Sequence, residues 1–520
     1  MAVLNSTYAP IYGEMEEIAL NWYQRKVLDG KSFADLFEFE GLPLGWFYER
    51  MFFLVMMPKQ LNMYDLLKRK EKLTAIKKIE FSIWSSLLPK LISLNEKRKR
   101  TVAKSQTPKA SSSQQKALFL TYTNQLEKDG KIYRLQEIID ELAKRNNLAP
   151  FPIIIDSFSS KRLQLLKDKH SIYQYSDTEI VQKAKAKAKE LYQKIQSLSE
   201  EQKERMFSLG EKNFWPYCKY LFNFHFSREM LFQLAFHYYL FDKIIREEKI
   251  TCGVLTSPGS CVEKCLIAAA KNNNISALVI QHGITDQPIN NAGSAHYAVF
   301  GKYNQKQFMN WGIAKEQVHI TGPIIYKDIS KYKRKKSQQK VKEILITTQT
   351  LIEVNLIPKG IYFECFKKII ATLQSIPGVH ITIKTHPREL HHQEYDALVS
   401  EKVSTNHLKG NENLYTLLSQ CDLLINFYGT STVLEASILD KPCLTIDLPN
   451  LTQNFYQDYD PSCRIKYNDK IQEKVQELLE NPSLLQEKRE KLVKDWCYIV
   501  DGKAHERVVD MIEKLSGKLK

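Results

Sequence analysis

The chain has 520 residues, of which 43% are hydrophobic and 26% are charged, and it carries a net charge of +16 with a pI near 9.1. This composition excludes a disordered chain and leaves room for two or three folded domains. The positive balance favours acidic partners, which include nucleic acid, anionic lipid and phosphorylated substrates.

The first sixty residues indicate neither a secretory signal nor a membrane-spanning helix. The first twenty residues lack the basic start and apolar core that a secretory signal needs. The most apolar window, residues 42–58, carries Glu49 and Arg50 in its middle and is too short to cross a bilayer. We therefore expect a cytoplasmic protein, with peripheral contact at the inner membrane as an option.

Residues 1–95 predict a helical N-terminal appendage, because apolar residues recur at helical spacing between lysines. Residues 96–116 are rich in Ser, Pro, Gln and charge, which is typical of a linker. The lysine-rich run 68–104 suggests contact with an anionic inner-membrane surface. A solvated basic helix that packs on its own domain is the alternative.

From residue 117 onward, short apolar runs of strand length alternate with helical patterns. A first block spans 117–329, a charged linker spans 330–342, and a second block spans 343–520. A long helical stretch, roughly 177–248, interrupts the first block. Such alternation predicts an α/β fold with two parallel-sheet, Rossmann-like domains that face each other across a cleft. Ligands bind beyond the carboxyl ends of the strands in such sheets, so chemistry is expected there.

The strand predicted from the run SALVIQ ends at His282 and Gly283. Glycine lets a ligand approach the backbone closely, and a neutral histidine can take a proton from a hydroxyl near neutral pH. His282 and Gly283 are therefore candidates for the acceptor side of a reaction. The alternative is a turn histidine that is bonded to a nearby carbonyl.

Two further turns of the first block contribute candidates. Ser257 and Ser260 lie in a Ser-Pro-Gly-Ser turn between a strand and a helix. They are suited to hold an anion or an acceptor, or simply to cap the helix. Gly322 follows the last strand of the block and is expected near the cleft floor or a hinge.

In the second block, the strand HITIK runs into Thr385-His386-Pro387-Arg388. Proline ends the strand and restricts His386, so the imidazole is expected to be held at the strand tip. Arg388 can grip phosphate oxygens with its guanidinium fork. An ordinary strand exit with solvated charges is the alternative.

The strand DLLINF ends before Gly429, and Thr430, Ser431 and Thr432 then open a helix. Free N–H groups and the positive end of the helix dipole gather there, so the segment predicts a phosphate cradle. Glu435, in the first helical turn, is a candidate for ribose hydroxyls or for the dipole. Plain N-capping is the alternative.

Other nucleotide and metal motifs are absent from the sequence. No Gly-x-x-x-x-Gly-Lys-Ser/Thr occurs, and no Gly-x-Gly-x-x-Gly follows a predicted strand. The histidines and cysteines show no metal-ligand spacing, so we expect neither a metal nor a cofactor beyond a substrate nucleotide.

With His-Gly, His-Pro and Gly-Thr-Ser-Thr in this order, the chain resembles the GT-B-fold transferases of bacterial surface polysaccharides. That group includes capsule glycosyltransferases, the His-Pro-motif sialyl- and polysialyltransferases, and the CDP-glycerol glycerophosphotransferases of teichoic acid synthesis. The resemblance covers roughly residues 116 to 500. It implies a metal-independent enzyme that moves a sugar or a polyol-phosphate from a nucleotide-activated donor to a surface glycan or a lipid-linked acceptor.

The resemblance also implies roles for individual residues. His386 would contact the donor's phosphate or nucleotide, the hydroxyl run Thr430 to Thr432 would hold the phosphate, and His282 would act as general base or position the acceptor. The chain departs from the group in two respects. The paired acids of the sialyltransferases are not visible, and no tryptophan precedes His282. The donor therefore stays open among CMP-, CDP- and UDP-activated groups.

Two other functions remain open from the sequence. One is an enzyme similar to UDP-N-acetylglucosamine 2-epimerases, which would act without an acceptor. The other is a non-catalytic protein that binds the membrane surface through its basic helices. Nucleic acid is not expected as a partner, because no platform of alternating aromatic and basic residues occurs.

Overall fold

The structure, a computed structural model, describes residues 21–49, 87–97, 99, 114–127, 129–155, 170–284, 289–333, 341–353, 357–399, 405–410, 412–427, 429–449, 456 and 459–517. The predicted basic arm, 68–104, and the predicted linkers, 96–116 and 330–342, lie largely or partly outside these residues.

The strands are β1 (Glu38–Phe39), β2 (Leu42–Pro43), β3 (Lys116–Tyr122), β4 (Ala149–Ile155), β5 (His170–Ser171), β6 (Ser208–Leu209), β7 (Lys212–Asn213), β8 (Ile250–Leu255), β9 (Ser276–Ile280), β10 (His296–Val299), β11 (Val318–Ile320), β12 (Lys342–Thr347), β13 (Val379–Lys384), β14 (Thr405–Leu408), β15 (Leu423–Phe427), β16 (Cys443–Asp447) and β17 (Cys463–Lys466).

The helices are α1 (Phe33–Leu36), α2 (Gln136–Arg145), α3 (Thr178–Gln196), α4 (Glu200–Met206), α5 (Trp215–His225), α6 (Arg228–Glu247), α7 (Cys261–Asn272), α8 (Lys302–Asn310), α9 (Lys359–Gln374), α10 (His392–Asp396), α11 (Leu414–Gln420), α12 (Ser431–Ile438), α13 (Ile471–Glu480), α14 (Gln486–Cys497) and α15 (Ala504–Leu515). Residues 87–97 form one further helical segment.

Two parallel sheets confirm the predicted α/β class. The first has seven strands in the order β5-β4-β3-β8-β9-β10-β11, and the second has six in the order β14-β13-β12-β15-β16-β17. Counted within each sheet, both orders begin 3-2-1-4-5-6, which is the arrangement of Rossmann-like domains. In both sheets the chain therefore reverses its direction of travel between two central strands, β3 and β8 or β12 and β15.

The first sheet is buried on both faces. Side chains alternate along each strand, so neighbouring residues lie in different cores. Leu118 and Leu120 of β3 belong to a core that α6 and α7 cover, while Ala117 and Phe119 belong to the core on the opposite face. The second sheet has the same two-sided burial, with α9 and α13 on one face and α12 and α14 on the other.

Residues 21–49 of the predicted helical appendage differ from the prediction. Residues 21–49 form the short helix α1 and the β1–β2 hairpin, and their aromatic side chains lie in the first core. The Trp22 ring packs 5.0 Å from Phe33 and 5.2 Å from Phe207, measured between centroids. The large rings of residues 21–49 are buried from several directions, so this segment packs without a single helix face. The run at helical spacing on which the prediction rested lies further along the chain, and its described part, 87–97, is helical.

A buried polar network holds this segment on the first domain. Lys264 Nζ of α7 contacts Glu49 Oε1 at 2.7 Å, and Tyr23 Oη donates to Glu49 Oε2 at 2.7 Å. Trp46 Nε1 donates to the carbonyl of Asn290 at 2.9 Å, within the loop that follows β9. The N-terminal segment is thus part of the first domain's packing rather than a separate appendage.

The C-terminal helix also departs from the predicted boundaries, which assigned 343–520 to the second domain. Val508, Val509 and Ile512 of α15 are buried in the same core as Phe119 of β3. Arg145 Nη1 of α2 contacts Glu513 Oε2 at 3.1 Å on this face. The chain thus returns to the first domain after α14, and the other predicted domain limits stay predictions.

Gly301 lets the two domains approach each other closely, where α8 of the first domain meets α14. A Cβ on Gly301 would lie 2.3 Å from the carbonyl oxygen of Asp495, at the end of α14. The rings of Tyr303 and Trp496 stack beside it at 4.5 Å. The first and second domains are therefore in direct packing contact at α8 and α14.

Candidate functional site

Each sheet places its predicted motifs at the carboxyl ends of its central strands. In the second sheet, β12 and β15 are neighbours, and the chain leaves them toward opposite sides. Such a switch point forms a crevice that commonly binds ligands. His386 follows β13, and Gly429 and the N-terminus of α12 follow β15, so both predicted motifs flank this crevice.

Two neighbouring threonines at the end of β12 join the two motifs. Thr347 Oγ1 lies 3.3 Å from Thr432 Oγ1 of α12. Thr348 Oγ1 accepts a hydrogen bond of 3.2 Å from the backbone N–H of His386. Since Thr347 and Thr348 are adjacent in the chain, His386 and Thr432 belong to one site.

His386 has a defined orientation and ionisation state. Its Nδ1 lies 3.2 Å from the backbone nitrogen of Arg388, whose N–H can only donate. The neutral ring must therefore carry its proton on Nε2. Burial lowers the pKa of His386, and the charges of Arg388 and Lys384 lower it further. His386 is thus a neutral imidazole that presents an N–H.

A buried carboxylate, Glu389, organises the turn that follows His386. Its Oε2 accepts a 2.7 Å hydrogen bond from the backbone N–H of His386 and also contacts the Thr348 hydroxyl. Its Oε1 lies 2.9 Å from Tyr395 Oη, which in turn lies 2.9 Å from Tyr362 Oη. Burial raises the pKa of Glu389 to about 7, and the hydrogen bonds from its neighbours act against this rise.

The predicted phosphate cradle has the expected hydroxyl-rich form. Thr430 caps α12, and its Oγ1 accepts from the N–H of Thr432 at 3.2 Å. Gly429 adopts φ +62°, which favours glycine because a Cβ would be strained there. Ser431 and Thr432 are half-buried at the helix start. Helix capping and anion binding both use the N-terminus of α12. The structure is therefore compatible with a plain cap and with a phosphate cradle.

Glu435 lies buried behind the cradle and is not exposed on the helix surface. Its Oε2 meets no hydrogen-bond donor among the residues that the structure describes. Burial raises the pKa of Glu435 to about 7, and the positive charge of Lys384 opposes the rise. Lys384, the last residue of β13, is itself buried and donates to the carbonyl of Gly410 at 3.2 Å.

Arg388 projects differently from the other candidates. It is exposed beyond the turn, whereas its backbone faces His386. Within the described residues the side chain makes no ion pair that would hold it in place. It is therefore available at the rim of the crevice rather than built into its wall.

In the first domain, His282 lies at the end of β9 and contacts the end of β8. Its Nδ1 is 2.6 Å from the carbonyl oxygen of Thr256, which can only accept. The neutral ring therefore carries its proton on Nδ1, and Nε2 is the basic nitrogen. Gly283 and Ser257 line, together with His282, a cavity of about 90 Å³.

Ser260 and Gly322 have clear structural roles. Ser260 caps α7 in a capping box with Glu263, and its hydroxyl pairs with Tyr122 Oη at 2.9 Å. Gly322, at φ +84°, lies against the returning chain, where a Cβ would be 2.9 Å from Arg507 Nη2. C-terminal residues thus cover Gly322, and its expected position near the cleft floor or a hinge stays a prediction.

The two halves of the candidate site meet through an apolar cluster. Ile284, two residues beyond His282, packs against the cluster that contains Val433 and Leu434 of α12. The segment after His282 thus reaches the second domain at the helix that carries the cradle. No group of three or more His, Cys, Asp or Glu suited to a metal ion occurs within the described parts of the chain.

Sequence reasoning missed several residues of this site. Thr347, Thr348, Glu389, Lys384 and Gly410 are not recognisable as a set, because their proximity depends on strand order. Only the run Lys-Thr-His-Pro-Arg-Glu-Leu offered a signal, since it places a lysine and a glutamate beside the predicted histidine.

Residues 367–514 match the family model of the CDP-Glycerol:Poly(glycerophosphate) glycerophosphotransferases. This range includes His386 and the cradle, and it confirms the predicted resemblance and the prediction of a transferase. No curated protein sequence matches the chain.

Solved structures with a similar course of the chain include a UDP-GlcNAc 2-epimerase from Neisseria meningitidis bound to UDP-GlcNAc, with 13% identity, a TM-score of 0.49, and coverage of 77% of this chain and 100% of that one. MurG from Acinetobacter baumannii has 15% identity, a TM-score of 0.45, and coverage of 77% and 99%. A glycosyltransferase from Rickettsia africae has 11% identity, a TM-score of 0.43, and coverage of 78% and 99%.

Proposed function

We propose that this chain, whose residues 367–514 match the glycerophosphotransferase model, transfers a sugar or a polyol-phosphate from a nucleotide-activated donor to a surface glycan or a lipid-linked acceptor. The observation that carries the proposal is the opposite tautomers of its two histidines. His386 presents an N–H, which suits a phosphate oxygen, and His282 presents a basic nitrogen, which suits an acceptor hydroxyl.

On the donor side, the leaving group is a nucleotide phosphate that gains negative charge as the bond breaks. The N–H of His386, the N-terminus of α12 and the hydroxyls of Thr430 and Thr432 are donors that suit this charge. Arg388 at the rim adds a positive charge that can turn toward the phosphate. These groups make the departure of the nucleotide easier without a bound metal.

On the acceptor side, His282 removes the proton from the attacking hydroxyl. Thr256 fixes the tautomer by accepting the Nδ1 proton, so Nε2 serves as the general base. The acceptor oxygen then bonds to the transferred group, and the bond to the nucleotide phosphate breaks. The proton stays on His282 Nε2 and passes to solvent, and the nucleotide leaves with its negative charge after stabilisation by the groups of the second domain.

We further propose that the protein acts in surface-polysaccharide assembly on the cytoplasmic side of the membrane and touches that membrane peripherally. Support comes from residues 87–97, where Leu87, Leu91 and Leu94 are 51%, 60% and 64% exposed. Lys90 and Lys97 are exposed on the same side of this helical segment. Such a face suits an anionic lipid surface. No helix in the described residues is long and apolar enough to cross a membrane.

The opposite side of this helical segment is attached to the first domain. Glu96 is buried and contacts Lys99 Nζ at 2.8 Å, and Lys99 lies 5.7 Å from the centre of the Tyr173 ring. The leucines therefore point away from the domain.

The donor is tested by thermal shift with CMP, CDP, UDP and GDP, followed by turnover with the activated form of the nucleotide that stabilises most. We expect His386→Ala to lower kcat/KM at least ~100-fold, since one lost donor to a developing charge costs about that much. His391→Ala, on the same loop, is the control and should stay within about twofold. Wild-type kinetics in His386→Ala would refute the mechanism.

The same assay separates the proposed transfer from epimerisation. The wild-type protein is incubated with the activated donor alone and with donor plus acceptor. Epimerised sugar that forms without any acceptor would favour the epimerase function over the transferase.

Membrane contact is tested by sedimentation with phosphatidylglycerol and phosphatidylcholine vesicles over a salt series. We expect binding to phosphatidylglycerol that weakens with salt, and a loss of at least about fivefold in Leu91→Glu, because the change removes apolar area and repels the lipid charge. Ile361→Glu, an exposed apolar site on α9, is the matched control. Equal binding of both variants would exclude the leucine face.

A further inference from the structure

The turn after His386 is built around one side chain that no sequence motif identifies. Glu389 is 4% exposed, and its two carboxylate oxygens face three donors from three elements. These are the backbone N–H of His386, the hydroxyl of Thr348 after β12, and the hydroxyl of Tyr395 in α10. A buried carboxylate with this set of donors is a fixed point to which the turn is attached.

This turn also sets the tautomer of the His386 imidazole. The N–H of Glu389 donates to the carbonyl of His386 at 3.0 Å, which closes the turn from the other side. In this conformation the N–H of Arg388 points at His386 Nδ1, at 3.2 Å. The proton of the neutral ring is thereby kept on Nε2.

We propose that Glu389 is a positioning residue for the transfer reaction, which fixes the His386 turn so that the imidazole keeps its Nε2–H toward the donor phosphate. The inference rests on the proposed function for its catalytic consequence. Its structural part, the control of the tautomer, stands without that function. Glu389 does not contact the reacting atoms.

Three substitutions distinguish a role of Glu389 in positioning His386 from a role in the stability of the fold. Glu389→Ala removes all three acceptor contacts. Glu389→Gln keeps an oxygen for the His386 N–H, and its amide group can donate to Tyr395, whose hydroxyl can turn to Tyr362. Glu513→Ala is the control, because Glu513 is equally buried but pairs with Arg145 and Asn147 in the first domain.

The first measurement is ¹⁵N NMR of labelled histidine in the full-length protein without substrate, at pH 7.5. We expect the His386 signals of the wild type to show Nε2–H and Nδ1 without a proton. In Glu389→Ala the signals should move toward a mixture of tautomers, while Glu389→Gln and Glu513→Ala keep the wild-type pattern. An unchanged pattern in Glu389→Ala would overturn the proposal, whatever reaction the protein catalyses.

The second measurement is steady-state kinetics with the donor identified by the nucleotide panel. Glu389→Ala should lower kcat about 10- to 100-fold with a smaller change in donor KM, because a misplaced group costs most in the transition state. Glu389→Gln should stay within about fivefold, and Glu513→Ala should lower Tm with kcat unchanged. A normal kcat in Glu389→Ala, or equal losses in the Ala and Gln variants, would overturn the proposal.

Failure of this inference and failure of the proposed function give different results. If His386→Ala turns over normally, the proposed function is refuted, and the NMR result still decides whether Glu389 sets the tautomer. If His386→Ala is inactive and Glu389→Ala is normal in both measurements, only the positioning role is refuted.

Discussion

At the scale of single residues, the candidate site combines groups whose protonation is set by their partners. In their neutral forms the two histidines hold their protons on different nitrogens, because a carbonyl fixes one and an N–H fixes the other. Two glutamates, Glu389 and Glu435, are buried with raised pKa values. Groups with shifted pKa values commonly mark functional sites, and here they surround the crevice of the second sheet.

The buried Glu435 makes stability depend on pH. Its pKa of about 7 lies above the ordinary value of 4.5, so the folded state binds more protons than the unfolded state between pH 4.5 and 7. Stability from this group is therefore present at low pH and is lost as pH rises through about 7. We expect Glu435→Gln to raise Tm at pH 8 by several degrees relative to wild type, and by much less at pH 5.

Calorimetry of both proteins at pH 5, 6, 7 and 8 measures this difference. Glu513→Gln is the control, since Arg145 and Asn147 already contact its carboxylate and the change should lower Tm instead. A Glu435→Gln difference that does not grow with pH would show that the carboxyl group is not buried in the folded protein.

At the scale of elements, β14 supports the His-Pro turn through one glycine. Gly410 adopts φ +92°, and a Cβ there would lie 3.0 Å from Pro387 Cα and 3.1 Å from the carbonyl oxygen of Thr385. The backbone after β14 thus lies directly against the backbone that carries His386. Neither group can move aside as a flexible side chain would.

A pair of glycine substitutions isolates this contact. Gly410→Ala and Gly312→Ala place alanine at φ +92° and φ +87°, but only Gly410 has neighbours within 4 Å. Each should cost about 1–2 kcal/mol of conformational strain. We expect Gly410→Ala alone to lower turnover, about tenfold or more, because it also displaces the His-Pro turn. Equal kinetics in the two variants would contradict this support role.

The strands that carry the site were predictable, and the elements at the sheet edges were not. β9 and β15 are almost wholly apolar because they are buried on both faces, and each ends at a predicted motif. β13 alternates apolar and polar residues and ends at the predicted His-Pro motif, whereas β12 ends at threonines that no motif marked. The edge strands β5, β14 and β17 are short and partly exposed, so they lack that signal. Gly410, next to β14, was therefore missed together with its contact to the motif.

At the scale of the whole molecule, the first domain is built from two separate parts of the chain. Its main part precedes the second domain, and α15 follows it. Periodicity locates α15 as an amphipathic helix but does not say which sheet it covers, because either core accepts a stripe of Val and Ile. The structure assigns it to the first sheet, beside α2 and β8. The same limit applies to residues 21–49, whose partners α6 and α7 are some 200 positions away.

Two core substitutions test this assignment. Ile512→Ala in α15 and Ile369→Ala in α9 remove the same side chain from sites that are both 0% exposed. Each should cost about 2–5 kcal/mol. In hydrogen exchange followed by mass spectrometry, we expect Ile512→Ala to weaken protection of β3 and β8, and Ile369→Ala to weaken protection of β12 and β13. The reverse pattern would move α15 to the second domain.

The return of α15 has a consequence for biosynthesis. During translation, β3 leaves the ribosome almost four hundred residues before Val508, Val509 and Ile512 are made. One face of the first sheet, which α2 covers in part, therefore lacks the remainder of its cover while the whole second domain is synthesised. Completion of the first domain's core is therefore coupled to the synthesis of α15.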